Sequence, residues 1–325
     1  MTSWSKKLAI ALLMTSALTA QAEQPPAYSA NVPDAIRTPD TVETQTLGTL
    51  KFFDGMPSAE TVTKTYDYLD VARGVEAFLA GVPAASVYSV IQGFRDVGLA
   101  SCDLGMSETL LDARSLFLTP NTSTVYAMLD FDVKDGPVVI DVPAGVLGPV
   151  QDAFFRYVVD FGVVGPDQGK GGKYVIAHKD YTGPLPEGAF VVRSPSYRNV
   201  AFFRVFSKDG DLTKAVASAK AGFHCYPLAQ AGNPPAQKFV NVSGKQFNTI
   251  HANTFHFFDE LNEVIQYEPS DVTDPVTLGL FASVGIKKGK PFAPDERMAR
   301  LLTEGVAIGN AAARSISFAN RDRSV

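Results

Sequence analysis

The chain has 325 residues, 46% hydrophobic and 19% charged, with a formal net charge of −5. That composition supports a sizeable core and as many as two domains. A mild acidic excess, with no basic run beyond the N-terminus, gives no electrostatic reason to bind nucleic acid, so no nucleic-acid partner is expected.

At the N-terminus, Lys6 and Lys7 precede an apolar run at 8–14 and then Ala20-Gln21-Ala22. A basic start, a short apolar stretch and an Ala-x-Ala end predict a secretory signal peptide, residues 1–22, cleaved after Ala22. Without it, 27 bases face 34 acids, a net charge of −7. No later run of about 18 consecutive apolar residues is evident, so the mature chain is expected to lack a transmembrane segment and to be periplasmic or secreted. In such a compartment Cys102 and Cys225 could form a disulfide; two buried free thiols are the other reading.

Residues 23–45 are polar and proline-rich and predict a flexible leader. Ser58 can cap a helix, and Val62, Tyr66, Leu69, Val75 and Phe78 form its apolar stripe. Gly81 and Pro83 predict its end, and 84–94 a second helix with Val87, Val90, Ile91 and Phe94 inward. Residues 106–118 show no clear period.

The stretch 119–206 holds most of the β-branched and aromatic runs. Val125, Ala127, Leu129, Phe131 and Val133 alternate with Tyr126, Met128, Asp130 and Asp132, the period of a half-buried strand. Further strands are predicted at 138–142, 154–164, 174–177, 190–193 and 199–206, separated by Gly/Pro turns. Six short strands without intervening helices predict an antiparallel β-sandwich core, flanked by N-terminal and C-terminal helices: an α+β fold. Helices are expected at 211–221, 252–266, 274–284 and from Pro294 as a first helical residue. The predicted division is 46–210, helical entry plus sandwich, and 211–325, a helical connector.

No Gly-x-Ser-x-Gly elbow, Cys-x-x-Cys pair or His-Glu-x-x-His helix occurs, and Ser-x-x-Lys appears only at 3–6. The glycine-rich run 165–173 fails as a phosphate loop, because neither Lys170 nor Lys173 is followed by Ser or Thr; it is expected to be a hairpin loop. His256 shares a helix face with Asp259 and Glu260, which is half a metal site or an ordinary surface histidine; no metal or cofactor is assigned. Asp130, Asp141, Arg156, Asp160, Arg193 and Arg204 interrupt the apolar runs. They either face water or converge in a cleft, since buried charges must be paired.

An ordered series of short motifs then stands out. It comprises Pro120 to Tyr126, Asp135-Gly136-Pro137, Gly169 to Ile176, Gly183-Pro184-Leu185-Pro186, Ser194-Pro195-Ser196, Gly285 to Phe292 and 310–321. Over residues 45–321 the series resembles the DUF1254 domain family. That resemblance implies a secreted or periplasmic protein with a β-sandwich, followed by a second sandwich, the DUF1214 domain. It implies no catalytic residues, because the family's activity is unassigned. The sequence departs from the family pattern in carrying Ser123 where Asp is usual and in lacking Trp near Phe161-Gly162. It also ends where the second domain is expected, as in a shortened member or a truncated reading frame. Val306, Ile308 and Ile316 are therefore expected to be loosely packed or to make a homo-oligomer contact.

The site expected from the residues is a binding surface made by Asn121, Tyr126, Asp160, Tyr174 and Arg204. Asn and Tyr can orient a polar ligand, and Asp with Arg can recognise charged groups. The ligand would be a small molecule or an envelope protein. The alternatives are a carboxylate-dependent hydrolase using Asp160 and a truncated remnant with only a structural role.

Overall fold

The computed structural model describes residues 31–118, 120–207, 209–319 and 321; the predicted signal peptide lies outside them. The chain divides into two compact units, Met1–Thr61 and Val62–Val325.

In the first unit, β1 (Thr41–Thr44), β2 (Gly48–Phe53) and β3 (Met56–Pro57) form a small antiparallel sheet. The end of the predicted leader is thus a strand. Gly48, at φ 67°, makes the tight turn that folds Thr41–Thr44 back onto β2. Ser58 caps the next helix as predicted, its Oγ accepting the Thr61 N–H at 3.2 Å.

That helix, α1 (Ala59–Asp96), runs through both Gly81 and Pro83 instead of breaking into two. Pro83 forfeits one backbone hydrogen bond, a cost of about 3 kcal/mol in an exposed helix. Packing on two sides outweighs it. Val87, Val90, Ile91 and Phe94 press on a β-sheet, while Phe78, Ala84 and Ala85 pack among other helices. Gly81 lets α3 pack closely there: a Cβ would lie 2.8 Å from a Leu261 methyl group.

The strands that follow are β4 (Leu104–Met106), β5 (Ser115–Leu116), β6 (Val125–Asp132), β7 (Val138–Val142), β8 (Val146–Asp152), β9 (Tyr157–Gly162), β10 (Gly172–His178), β11 (Phe190–Ser194) and β12 (Arg198–Val205). Helix α2 (Leu212–Gly222), β13 (His224–Pro227), β14 (Phe239–Asn241) and β15 (Phe247–Asn248) precede helices α3 (His256–Tyr267), α4 (Pro275–Ser283) and α5 (Glu296–Phe318). Six strands, ordered β14-β4-β6-β12-β8-β9, face four, ordered β11-β10-β7-β13, and β15 pairs β5. Between the two large sheets lie Leu129, Phe131, Val150, Phe161, Ile140, Tyr174 and Phe203, the largest core cluster.

The sandwich is antiparallel at its centre but mixed at its edges, where β10–β11 and β4–β14 run parallel, as β5 and β15 do in their own small sheet. A helix usually makes such a crossover. Here the 179–189 loop returns the chain, held by Arg193, which donates to the carbonyls of His178 and Tyr181 at 3.1 and 2.6 Å. The glycine-rich run is likewise no hairpin: β9 and β10, which it joins, belong to different sheets.

Sequence periodicity misses β8, because Gly148-Pro149 reads as a turn. In the fold, Val146, Gly148, Val150 and Asp152 point inward, and Leu147, Pro149 and Gln151 outward. Helix α5 starts at Glu296 rather than at Pro294, with Asp295 as its cap, the Asp295 carboxylate accepting the Met298 N–H. Of the stripe expected to be loose, Val306 is buried in the helical core, because α5 crosses α1 where Gly74 meets Gly305. Ile308 and Ile316 are exposed.

Candidate functional site

The outer face of the six-stranded sheet is covered by α1 only in part. Where cover ends, a cleft of about 640 Å³ opens between α1 and strands β6, β12, β8 and β9. Val82, Pro83 and Ser86 form the helix wall, Phe117, Leu118 and Pro120 a second wall, and Phe202, Leu147, Gly148 and Pro149 the floor. Phe117 meets Phe202 edge-on at 5.4 Å.

Strand register decides which side chains reach this cleft. Arg204 on β12 is paired with Tyr126 on β6 and with Leu147 on β8, and Asp160 on β9 with Pro149 on β8. All five project to the outer face, because alternate residues of a strand share a face. Three of the residues expected from the sequence, Tyr126, Asp160 and Arg204, therefore line one cavity. Among the described residues, the side chains of Asp160 and Arg204 make no hydrogen bond or ion pair. The Tyr126 hydroxyl accepts the Asn121 N–H at 3.2 Å, which leaves its own proton to donate. Gln151 donates to the Phe155 carbonyl at 3.3 Å and keeps its side-chain oxygen as an acceptor.

The other two expected residues do not line the cleft. Asn121 sits at its edge, exposed, its side chain accepting from Ser123. Tyr174 is a correction: it points into the sandwich, fully buried, and donates to Asp167 at 2.6 Å. Burial and the adjacent Asp167 carboxylate push its hydroxyl well above the usual phenol range. The same carboxylate accepts the N–H groups of Gly162 and Gly171 at 2.8 and 2.9 Å, so Asp167 organises the glycine-rich loop.

The remaining charges in the strand runs have protein partners. Asp130 pairs with Arg95, Asp141 with Lys173, and Arg156 with Asp152 and the Val272 carbonyl. His256 bonds Asp259, while Glu260 turns inward to the Ala252 N–H. Among the described residues, no three His, Cys, Asp or Glu side chains are grouped to hold a metal ion. Cys102 and Cys225 form a disulfide, which settles the alternative left by the sequence.

A second polar cluster lies at the far end of β6 and β12. Glu268, buried, accepts the N–H groups of Tyr197 and Arg198 at 2.6 and 3.2 Å. Burial raises its carboxyl to about 7; nearby Asp132 adds to the shift and Arg198 opposes it. Tyr267 donates to Asp132 at 2.6 Å and lies under Arg198. The tight packing of this cluster, with Lys288 donating to the Gln266 and Glu268 carbonyls, makes it a brace between α3 and the sheet.

A mostly antiparallel two-sheet sandwich with helical cover and an apolar, two-charge cleft defines the class: an α+β domain with a small-molecule-sized cavity. Residues 103–227, from β4 to β13, match the model described as "Protein of unknown function (DUF1254)". The resemblance read from the motifs extended further, over 45–321. Among solved structures, the VPA0106 protein from Vibrio parahaemolyticus superposes with a TM-score of 0.57 at 18% identity, over 76% of this chain and 59% of that one, a likeness of fold. The chain thus spans about three fifths of the length of that neighbour. An uncharacterised protein from Burkholderia cenocepacia gives a TM-score of 0.26 at 12% identity, over 75% of this chain and 58% of that one. No curated protein matches.

Proposed function

We propose that this is an exported, non-catalytic protein that binds a small molecule with a largely apolar body in the cleft between α1 and the outer face of the sandwich. One observation carries the reading: Arg204 and Asp160, of opposite charge, enter the same apolar cavity, and among the described residues neither has a partner. Asp160 is half-buried and Arg204 exposed at the cleft, so both can meet a ligand, and apolar walls with a few convergent polar groups are the usual make-up of a binding site. Hydrolysis by paired carboxylates would need a second acid within roughly 9 Å. Asp160 is the one carboxylate among the lining residues, which favours binding.

Export is supported by the signal-like N-terminus and by the Cys102–Cys225 disulfide, a bond that persists in oxidising compartments. Helix α1 is long and apolar enough to cross a membrane by length and composition, but 61% of its most apolar window is buried within the protein. That burial favours reading it as a core helix. A thermal-shift screen of small metabolites, comparing wild type with Asp160→Asn, tests the binding reading. Ligands that raise the wild-type melting temperature and lose the effect in the variant are expected; no shift with any compound would refute the reading. For export, intact mass of protein recovered outside the cytoplasm should begin at Glu23.

A further inference from the structure

The cleft carries two kinds of polar group. Its charges stand toward water: Asp160 is half-buried and Arg204 exposed. Its hydroxyls do not: Ser86 and Tyr126 are 4% and 8% exposed, yet both line the cavity. Ser86 belongs to α1, and among the described residues its hydroxyl makes no hydrogen bond. The Tyr126 hydroxyl accepts the Asn121 N–H and keeps its own proton unused. Buried hydroxyls are nearly always bonded, so two unused donors on one cavity are available to an acceptor on a ligand. A neutral oxygen suits them best. An ion buried against Ser86 and Tyr126 would lose its water, and Arg204, itself exposed, does little to offset that loss.

The apolar lining is rich in rings. Phe117, Phe155, Phe202 and the ring of Tyr126 all face the cavity. Phe117 and Phe202 meet at 89°, and such a corner takes a flat ring against one face with its edge toward the other. Phe155 is held at φ 57°, a costly conformation for a bulky residue. The Asp152 carboxylate fixes that turn by accepting the Phe154 and Arg156 N–H groups at 2.8 and 2.9 Å. The strained turn sets the Phe155 ring in the cleft wall, where ring packing rewards an aromatic ligand beyond its buried area.

We infer that the cleft takes a neutral aromatic compound with a carbonyl-type oxygen, recognised by the hydroxyls of Ser86 and Tyr126. This rests on the binding reading above and names its ligand class. Equilibrium dialysis of the full chain against 2-acetylnaphthalene, 2-ethylnaphthalene, 2-acetyldecalin and 2-naphthoate provides the test. The ketone should bind about fivefold more tightly than the hydrocarbon, which lacks the oxygen. It should bind about threefold more tightly than the decalin ketone, which lacks flat rings. The naphthoate should bind more weakly than the ketone. The double variant Ser86→Ala/Tyr126→Phe should hold ketone and hydrocarbon alike, with hydrocarbon affinity unchanged. Ser86→Ala alone should lose part of the ketone's advantage without lowering the melting temperature, since alanine favours the helix and the hydroxyl bonds nothing. That single variant decides the matter if the double variant does not fold. The assignment is overturned, and the apolar cleft stands, if wild type holds ketone and hydrocarbon equally, if the ketone's advantage survives the substitutions, if the decalin ketone binds as well, or if the naphthoate binds best. If no compound binds, the assignment also falls, and the metabolite screen then decides the binding reading.

Discussion

Arg95, in the last turn of α1, grips Asp130 on the outer face of β6 with both terminal nitrogens, at 2.7 and 2.6 Å, and also donates to the Leu99 carbonyl at 2.8 Å. Asp130 is 4% exposed. The paired fork fixes the end of the helix on the sheet, and it separates two kinds of strand charge. Asp130 has a built-in counter-ion; Arg204 on the neighbouring β12 and Asp160 on β9, on the same face, have none among the described residues.

Arg95→Ala should therefore lower stability by about 2–3 kcal/mol, since it leaves a buried carboxylate without its charged donors. Arg95→Lys should recover only part of the loss, because an ammonium cannot make the two-pronged contact. Urea denaturation of the two variants checks this; equal stability of Arg95→Ala and wild type would show that the pair contributes nothing net.

The Glu268 carboxyl, raised to about 7 from an ordinary 4.5, should make stability fall with rising pH. Between those values the folded protein keeps a proton that the unfolded chain has already released. Stability from this group is fully present below about 4.5 and is lost as pH rises through 7, by up to about 3 kcal/mol. Glu268→Gln removes this dependence. Melting temperatures from pH 4.5 to 8 should therefore diverge between wild type and variant, and parallel profiles would contradict the assignment.

Gly148 has no room for a side chain: a Cβ would lie 2.0 Å from the Phe202 carbonyl oxygen and 2.5 Å from the Phe203 Cα. Gly148→Ala should push β8 off β12, cost about 3 kcal/mol and deform the cleft floor. Amide hydrogen exchange across 146–152 and 199–205 should speed up together. Gly232→Ala, where a Cβ meets open space, serves as the control.

The disulfide spans 123 residues of sequence, so it restricts a large part of the unfolded chain. Replacing both Cys102 and Cys225 by alanine should cost about 5 kcal/mol on the chain-entropy account. Chemical denaturation of the double variant and of oxidised wild type measures it. A difference below about 1 kcal/mol would mean that the reduced unfolded chain is already restrained.

Local chemistry sufficed for much of this protein. The alternation along β6 and the Ser58 cap were legible from residue order alone, because each depends on neighbours a few positions away. Other features depended on partners distant in sequence. Pro83 stays within a helix because the sheet and α3 hold that helix from both sides. Gly148-Pro149 is a strand, not a turn, because the backbone of β12 lies directly against Gly148. Tyr174 and Tyr126 both sit in apolar strands, yet one is sealed in the core by Asp167 and the other opens on the cleft. A strand's period tells which residues share a face, but only the stacking of sheets and helices decides which face is core and which is cavity. Arg204 and Asp160 are 44 residues apart in the chain and meet in one cleft solely through the β12-β8-β9 pairing.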